Sequence, residues 1–322
     1  MPLCDEHFAD HIRTRKVKPP KTLYKYTTVE TAQIVLSTGK LRFQSPLRYN
    51  DPFDSQWNTL WPLFTPEARE YERMLFEKAI RDPGSWPDNA DLKNKELINQ
   101  ARERIDALPE EQREGEIVAL AKKLTETITI PDRLKLRHHD TQRQLRVLCL
   151  SACDRSILMW SHYADQHSGV VLGFDTDVME NGRKCPFEPV VYKDGPPQLF
   201  DPEEWIRSTL FGLPDKPELN GREREWALTK HSSWQYEREW RFASTAAAGT
   251  LGDYGDYNFP RDALVELVMG CRTDTVKAVE LQSLAYHFRP DVRHFQMSQH
   301  PSRFELDKTE VPAGEAAPPS SP

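Results

Sequence analysis

What this chain lacks narrows it first. No apolar run nears the roughly 18 residues that cross a bilayer as a helix, and no basic-then-apolar signal opens it. The chain is therefore expected in the cytoplasm, with no membrane partner. Cysteine is sparse and odd in number, at Cys4, Cys149, Cys153, Cys185 and Cys271. Five scattered cysteines do not make a disulfide framework. The 14 glycines never gather after a strand as GxGxxG or GxxxxGK[ST], which argues against a dinucleotide fold and a P-loop. Positive charge is not in excess either. Lys and Arg number 43 against 50 Asp and Glu, a formal charge of −7. Nucleic-acid binding driven by overall charge is disfavoured, though a local basic patch is not.

What is present reads as an α+β fold. The 322 residues are 38% hydrophobic and 29% charged, so a core forms only if the charges gather on helices and loops. Residues 1–21 read as a basic flexible arm, ended by Pro19-Pro20. A single domain over 22–307 follows. It opens with a β-rich run at Thr22 to Thr28. A helix comes next, with Thr27 and Glu30 at capping-box spacing, a stripe of Ala32, Val35 and Leu36, and Gly39 as the stop. The alternating "KLRFQS" is a strand, and Asn50-Asp51-Pro52 is a turn. From about 66 to 144 the chain turns helical and charged, with three helices that read as an insertion. Strands resume at "RVLCLSA" and "GVVLGF". Helices near Pro202 to Phe211 and Arg222 to Ser232 lead to "SSWQYEREWRF", read as a strand. A buried strand, a helix and the strand "VRHFQMS" close the domain, and residues 308–322 are too rich in Pro, Ala and Ser to fold. The irregular interleaving predicts a mixed or antiparallel sheet.

Two stretches carry chemistry. In "YEREWR", a strand would set Glu237, Glu239 and Arg241 on one face, with the two carboxylates ~7 Å apart from the rise per residue. Such a pair can divide two tasks around one small group, and one pKa can be pushed up. The competing reading is a solvent-facing strand with Arg241 bridging the acids. In "MWSHYADQHSGVVLGFD", a helix over Ser156 to Gln166 sets Trp160, Tyr163, Ala164 and His167 on one stripe. Trp160 and Tyr163 then dock on the sheet, while His162 and His167 frame the pocket. Cys149, Cys153, His162 and His167 have ligand types that suit zinc, but the gap between Cys153 and His162 is short, and no metal is expected. Ser151, at a strand end, is better placed to border a pocket than Ser161, which points away from His162.

Five motifs occur in order: "LYKY" at Leu23, "NDPFD" at Asn50, "LCLS" at Leu148, "MWSHYAD-x-H-x-G" at Met159 and "W-x-YE-x-E-x-R" at Trp234. Over about Thr22 to Ser298 the chain resembles the bacterial domain-of-unknown-function 2971 family, a resemblance that implies no activity. The motif order also resembles an ADP-ribosyltransferase-type fold with a split sheet. That resemblance implies NAD as substrate, with Lys25 and Thr27 on the NAD-binding strand, where a His or Arg is usual in place of Lys25. It implies Ser151, or the wall of Trp160 and Tyr163, on the next strand. It implies the catalytic carboxylate at Glu239, with Glu237 second. Tyr26, Trp160 and Tyr163 would stack on nicotinamide with His162 beside them, and Lys25 or Arg42 would meet the phosphates. A carboxylate on the ribose 2′-OH would stabilise the oxocarbenium-like state. The acceptor, protein or nucleic acid, is undefined. Two other functions compete. One is a non-catalytic nucleic-acid or protein binding module using the basic segment from Arg133 to Arg146. The other is a hydrolase or nuclease using Glu237, Glu239 and His162.

Overall fold

In the computed structural model, residues 17–55, 65–82, 84, 87–88, 92–127, 142–181, 186–195, 201–212, 223–246 and 252–312 are described. The first sixteen residues of the basic arm, the segment Arg133 to Arg137 and most of the tail lie outside them. In chain order the elements are β1 (Thr22–Thr27), α1 (Val29–Thr38), β2 (Lys40–Gln44), α2 (Pro66–Arg81), α3 (Leu92–Asp106), α4 (Glu110–Thr127) and β3 (Leu145–Ser151). Then come α5 (Ile157–Tyr163), β4 (Val170–Asp175), α6 (Thr176–Glu180), β5 (Glu188–Pro189), β6 (Val191–Lys193), α7 (Pro202–Phe211) and α8 (Glu223–Ala227). The last are β7 (Thr229–His231), β8 (Glu239–Thr245), β9 (Tyr254–Asn258), β10 (Leu264–Met269), α9 (Thr275–Phe288), β11 (Arg293–Gln299) and β12 (Leu306–Val311). The class is α+β with a mixed, mostly antiparallel sheet, as the irregular interleaving implied.

The chain divides into two compact units, Met1–Gln56 with Asp140–Pro196 and Ala227–Pro322, and Trp57–His139 with Pro197–Trp226. Composition marked one helical segment, whereas the second unit draws on two. Its core packs Phe76, Ile80, Ile98, Ile105 and Ile117 with Leu210 and Phe211 of α7. Its charged faces are tied by pairs such as Arg73 with Glu77 and Arg81 with Glu77, both 2.9 Å and both at i, i+4 spacing.

The first unit holds the sheet, in the order β12-β11-β10-β4-β1-β3-β2-β9, with β8 pairing β3 and β5. Among the described residues, only β10 with β11 runs parallel within it. β4 is central because it is apolar on both sides: Val170, Leu172 and Phe174 join the core under α1 and α9, and Val171 joins the core under α5. Side chains alternate across a strand, so one continuous apolar run fills both cores. Next to β4 the sheet opens. β1 pairs with β4 at all six of its residues but meets β3 at one position, Tyr24 opposite Ser151. β2 likewise meets β3 only at Gln44 opposite Val147. This splaying leaves a gap in the sheet, and the site lies there.

Local readings shift in instructive ways. The cap of α1 is Thr28, whose hydroxyl accepts from the Thr31 N–H at 3.2 Å, not Thr27, which ends β1 buried. Gly39 ends the helix with φ 66, as its position implied. The helix expected over Arg222 to Ser232 stops at Ala227, and β7 replaces its second half. Lys308 to Val311, assigned to the unfolded tail by composition, pair with β11 instead. α5 begins at the Ser156 cap and ends at Tyr163. Asp165, Gln166 and His167 then take left-handed φ of 44, 52 and 73. This tight turn passes so close to Gly270 that a Cβ there would sit 2.1 Å from the His167 carbonyl oxygen.

Candidate functional site

The gap between β1 and β3 forms a cleft of about 780 Å³. Its inner wall is a cluster of charges that sequence periodicity did not foretell. "YEREWR" is not a strand throughout. Ser232 to Glu237 form a 3-10 turn, Arg238 takes the left-handed φ of 46, and β8 starts at Glu239. Because of that break, both carboxylates converge on one ammonium. Lys230 Nζ donates to Glu237 Oε2 at 2.5 Å and to Glu239 Oε2 at 3.2 Å, and lies 3.3 Å from Asp54 Oδ2. Arg241 completes the set. It donates through Nε to Glu239 Oε1 at 2.9 Å, through Nη2 to Glu239 Oε2 at 3.1 Å and Asp54 Oδ2 at 2.6 Å, and through Nη1 to the Ala227 carbonyl at 2.6 Å. The side chains of Lys230, Asp54, Glu237 and Glu239 are 6%, 3%, 3% and 7% exposed, and that of Arg241 is fully buried. The alternative of a solvent-facing strand bridged by Arg241 is therefore corrected. The acids are buried, and the cation between them is Lys230.

The two glutamates are driven in opposite directions. Burial raises the Glu237 carboxyl, and the nearby charge of Lys230 only partly offsets this. Burial would raise Glu239 too, but Arg241 and Lys230 outweigh it and hold Glu239 well below the usual carboxylate range. Burial disfavours charge on Lys230, yet Glu239, Asp54 and Glu237 together push it up. The cause is geometric: Glu239 receives a two-pronged guanidinium and an ammonium, while Glu237 receives the ammonium alone. The other oxygen of Glu237 accepts the Tyr163 hydroxyl at 2.7 Å.

The residues singled out by sequence fall into three groups. Lys25, Tyr26, Thr27, Ser151, His162, Tyr163, Glu237 and Glu239 all border the cleft, as does Arg42. Within that set several side chains are already engaged. Lys25 Nζ reaches across the gap to the Cys149 carbonyl at 3.2 Å. The Tyr26 hydroxyl donates to Cys153 O at 2.8 Å. Ser151 donates to the Glu237 carbonyl at 2.6 Å and accepts from the Cys153 N–H, which fixes the turn that carries Glu237. Arg42 is held by Asp256 through two bonds of 2.8 and 3.0 Å. His162, exposed, shares a 3.0 Å hydrogen bond with the Tyr236 hydroxyl.

Trp160 is the residue that does not join them. It is fully buried, its indole N–H donates to Asp154 O at 2.7 Å, and its ring packs between Tyr26 and His167. It has no face left for a ligand, so its expected stacking role is corrected. The zinc pattern is dispersed as well: Cys149 lies by Tyr49, His162 by Tyr236 and His167 by Ser161. Among the described residues no group of three or more His, Cys, Asp or Glu is placed to hold a metal. Arg146, counted in the basic segment, is buried and donates to the carbonyls of Arg143, Leu145 and Gly252. It cannot meet a phosphate.

Two site residues escaped the sequence reading. Asp54 stood inside the turn signal "NDPFD", and nothing local tied it to Arg241. Lys230 lay in a stretch read as helix. The short parallel pair β6–β7 sets Tyr192 beside Lys230 in register, and the Tyr192 hydroxyl accepts the Glu239 N–H at 2.8 Å.

A family model described as "Protein of unknown function (DUF2971)" matches residues 159–242. The matched stretch contains α5 from Met159 on, with Lys230, Glu237, Glu239 and Arg241. No curated protein and no solved structure matches the chain, so the ADP-ribosyltransferase-like fold has no support from comparison.

Proposed function

We propose that this cleft breaks a ribosyl C1′–N bond in a nucleotide, with NAD as the substrate that the motif order implies, in the manner of an ADP-ribosyltransferase. The observation that carries the reading is the pair Glu237 and Glu239, held at one ammonium on the wall of a cleft and shifted in opposite directions, Glu237 up by burial and Glu239 down by Arg241 and Lys230. Cleavage of a glycosidic bond passes through an oxocarbenium-like state, and two carboxylates with separate roles are what such a reaction uses. Glu239, kept ionised by Arg241, supplies fixed negative charge for the cation that develops at C1′. Glu237 keeps lone pairs beyond those engaged by Lys230 and Tyr163 and is the carboxylate able to touch the substrate.

The order of residues across the sheet also supports it. Tyr24, Ser151 and Glu239 stand in one row on β1, β3 and β8, with Lys25 next to Tyr24. Lys25 has a carbonyl rather than a carboxylate as its partner, which leaves its charge for a phosphate. Arg42, neutralised by Asp256, is the poorer candidate.

Nicotinamide release from NAD by the purified chain, with and without cell extract as a source of acceptor, tests the proposal. Release should fall at least about 100-fold in Glu239→Gln. No thermal shift with NAD and no nicotinamide from the wild-type protein under either condition would sink it.

A further inference from the structure

Three carboxylates, Asp54, Glu237 and Glu239, face two cations, Lys230 and Arg241, in a buried cluster. Fully ionised, the cluster would carry one surplus negative charge away from water, and a buried charge without a partner is strongly disfavoured. One proton removes the surplus. Asp54 has a guanidinium at 2.6 Å and an ammonium at 3.3 Å. Glu239 has both cations and uses both oxygens. Glu237 has only the ammonium and a phenol hydroxyl. The proton therefore belongs on Glu237. The other titratable groups that face Glu237 are the phenols of Tyr163, Tyr192 and Tyr236, and burial raises all three, so none competes as an anion.

That proton has no task in the release of nicotinamide. A pyridinium leaves its ribose as a neutral ring and needs none. A purine is different, because its N9 departs as an anion unless another ring nitrogen is protonated. We infer that this cleft is matched to the C1′–N9 bond of a purine nucleotide, with Glu237 and Tyr163 together delivering a proton to the departing base. The inference rests on the reading of the cleft as a site of ribosyl-bond cleavage and narrows its leaving group.

The route is short. The 2.7 Å bond that Tyr163 donates to the Glu237 carboxylate reverses once Glu237 holds the proton: Glu237 passes that proton to the Tyr163 hydroxyl oxygen, and Tyr163 gives its own hydroxyl proton to a purine ring nitrogen. The C1′–N9 bond breaks with its electron pair going to the base. Water adds its oxygen to C1′, and the proton it loses returns through Tyr163 to Glu237. The net change is nucleotide plus water to ribose 5-phosphate plus neutral base, with no oxidant or reductant. Tyr163 suits the relay because it borders the cleft and is part-exposed, and the Asn50 side chain also reaches its hydroxyl.

The full chain should be given inosine 5′-monophosphate and NAD in separate assays, with hypoxanthine and nicotinamide measured across pH. Hypoxanthine release should decline as pH rises through the titration of Glu237, since the acid form is the active one. Tyr163→Phe should lower kcat by about 100-fold or more with KM little changed, and Glu237→Gln should do the same. If Glu237→Gln fails to fold, Tyr163→Phe still decides, because it removes one hydroxyl from a part-exposed ring. Hypoxanthine release that ignores pH, or that survives Tyr163→Phe, overturns the inference. Nicotinamide release without hypoxanthine release overturns it and leaves the NAD reading standing. Hypoxanthine without nicotinamide supports the inference and removes NAD as the substrate. Neither product defeats both.

Discussion

Lys230→Met is the most exposing perturbation of the cleft wall. Methionine fills much of the same space without the charge, so lost packing contributes little. What is lost is the one ammonium within 3.3 Å of Asp54, Glu237 and Glu239. Arg241 still serves Asp54 and Glu239, but Glu237 is left with a hydroxyl alone. Removing one partner from a buried charge network costs about 3–5 kcal/mol, far above the 0–1 kcal/mol of a surface pair. Urea unfolding followed at several pH values measures it. The pH dependence has a definite sign. The depressed Glu239 contributes stability that is full above the ordinary carboxylate pKa and is lost as pH falls below it. Without Lys230 that depression shrinks, so the wild-type advantage should narrow on acidification. A loss near 1 kcal/mol, or a gap that is constant with pH, would refute the assignment of Lys230 as the organising charge.

Three other outcomes follow from single positions. Gly270→Ala forces a methyl group onto the His167 carbonyl and the Trp160 ring and should lower stability by roughly 1–3 kcal/mol; an unchanged thermal midpoint would contradict the close approach. Arg238 has a left-handed backbone, which costs an L-residue about 1–2 kcal/mol. Arg238→Gly should therefore hold or raise stability, while Arg238→Val should reduce both stability and any base release, since the break aims both glutamates at Lys230. The Cys149 thiol is pushed up to about 12, by burial first and by Glu239 next. At pH 8 only ~10⁻⁴ of it is thiolate, so iodoacetamide should label Cys149 only after denaturation, as read by mass spectrometry.

Much of the fold was legible because it is written in local periodicity. The apolar run of β4, the stop at Gly39 and the three charged helices each follow from a pattern a few residues long. The site was half legible. Its glutamates and Tyr163 stand in dense, unusual stretches. The rest depends on contacts no window contains. Asp54 meets Arg241 across 187 positions. The Asx turn at Asp51 was read correctly, its carboxylate accepting from Phe53 N at 2.8 Å, but the adjacent acid looked like part of the same turn. "YEREWR" has a strand's alternation, and one left-handed residue, Arg238, overrides it. Lys230 hid because β7 is three residues long, too short for period two to show. β12 hid because composition, not pattern, was used to judge the tail.

A second ion cluster, part-buried, contrasts with the cleft wall. Lys308 reaches Asp154 at 2.7 Å and Glu266 at 2.5 Å, and Arg293 also pairs with Glu266. These residues tie β10, β11 and β12 to the loop after β3. There Lys308, Arg293 and Arg155 meet two carboxylates, so no negative charge is left over and the cluster needs no added proton. It does what a part-buried ion network does at best, which is to fix strand register near break-even in stability. The cleft cluster has one acid more than its two cations, and Glu237 is the acid with the fewest cations. For stability alone, an amide at position 237 would accept from Lys230 through its carbonyl, donate its N–H to the Tyr163 oxygen and carry no charge, as the protonated acid does. Glu237→Gln should therefore leave stability near that of wild type, or raise it above the ordinary carboxylate pKa, while base release is lost. Equal losses of stability and activity would mean that the surplus acid serves the fold, and the case for a proton donor would fail.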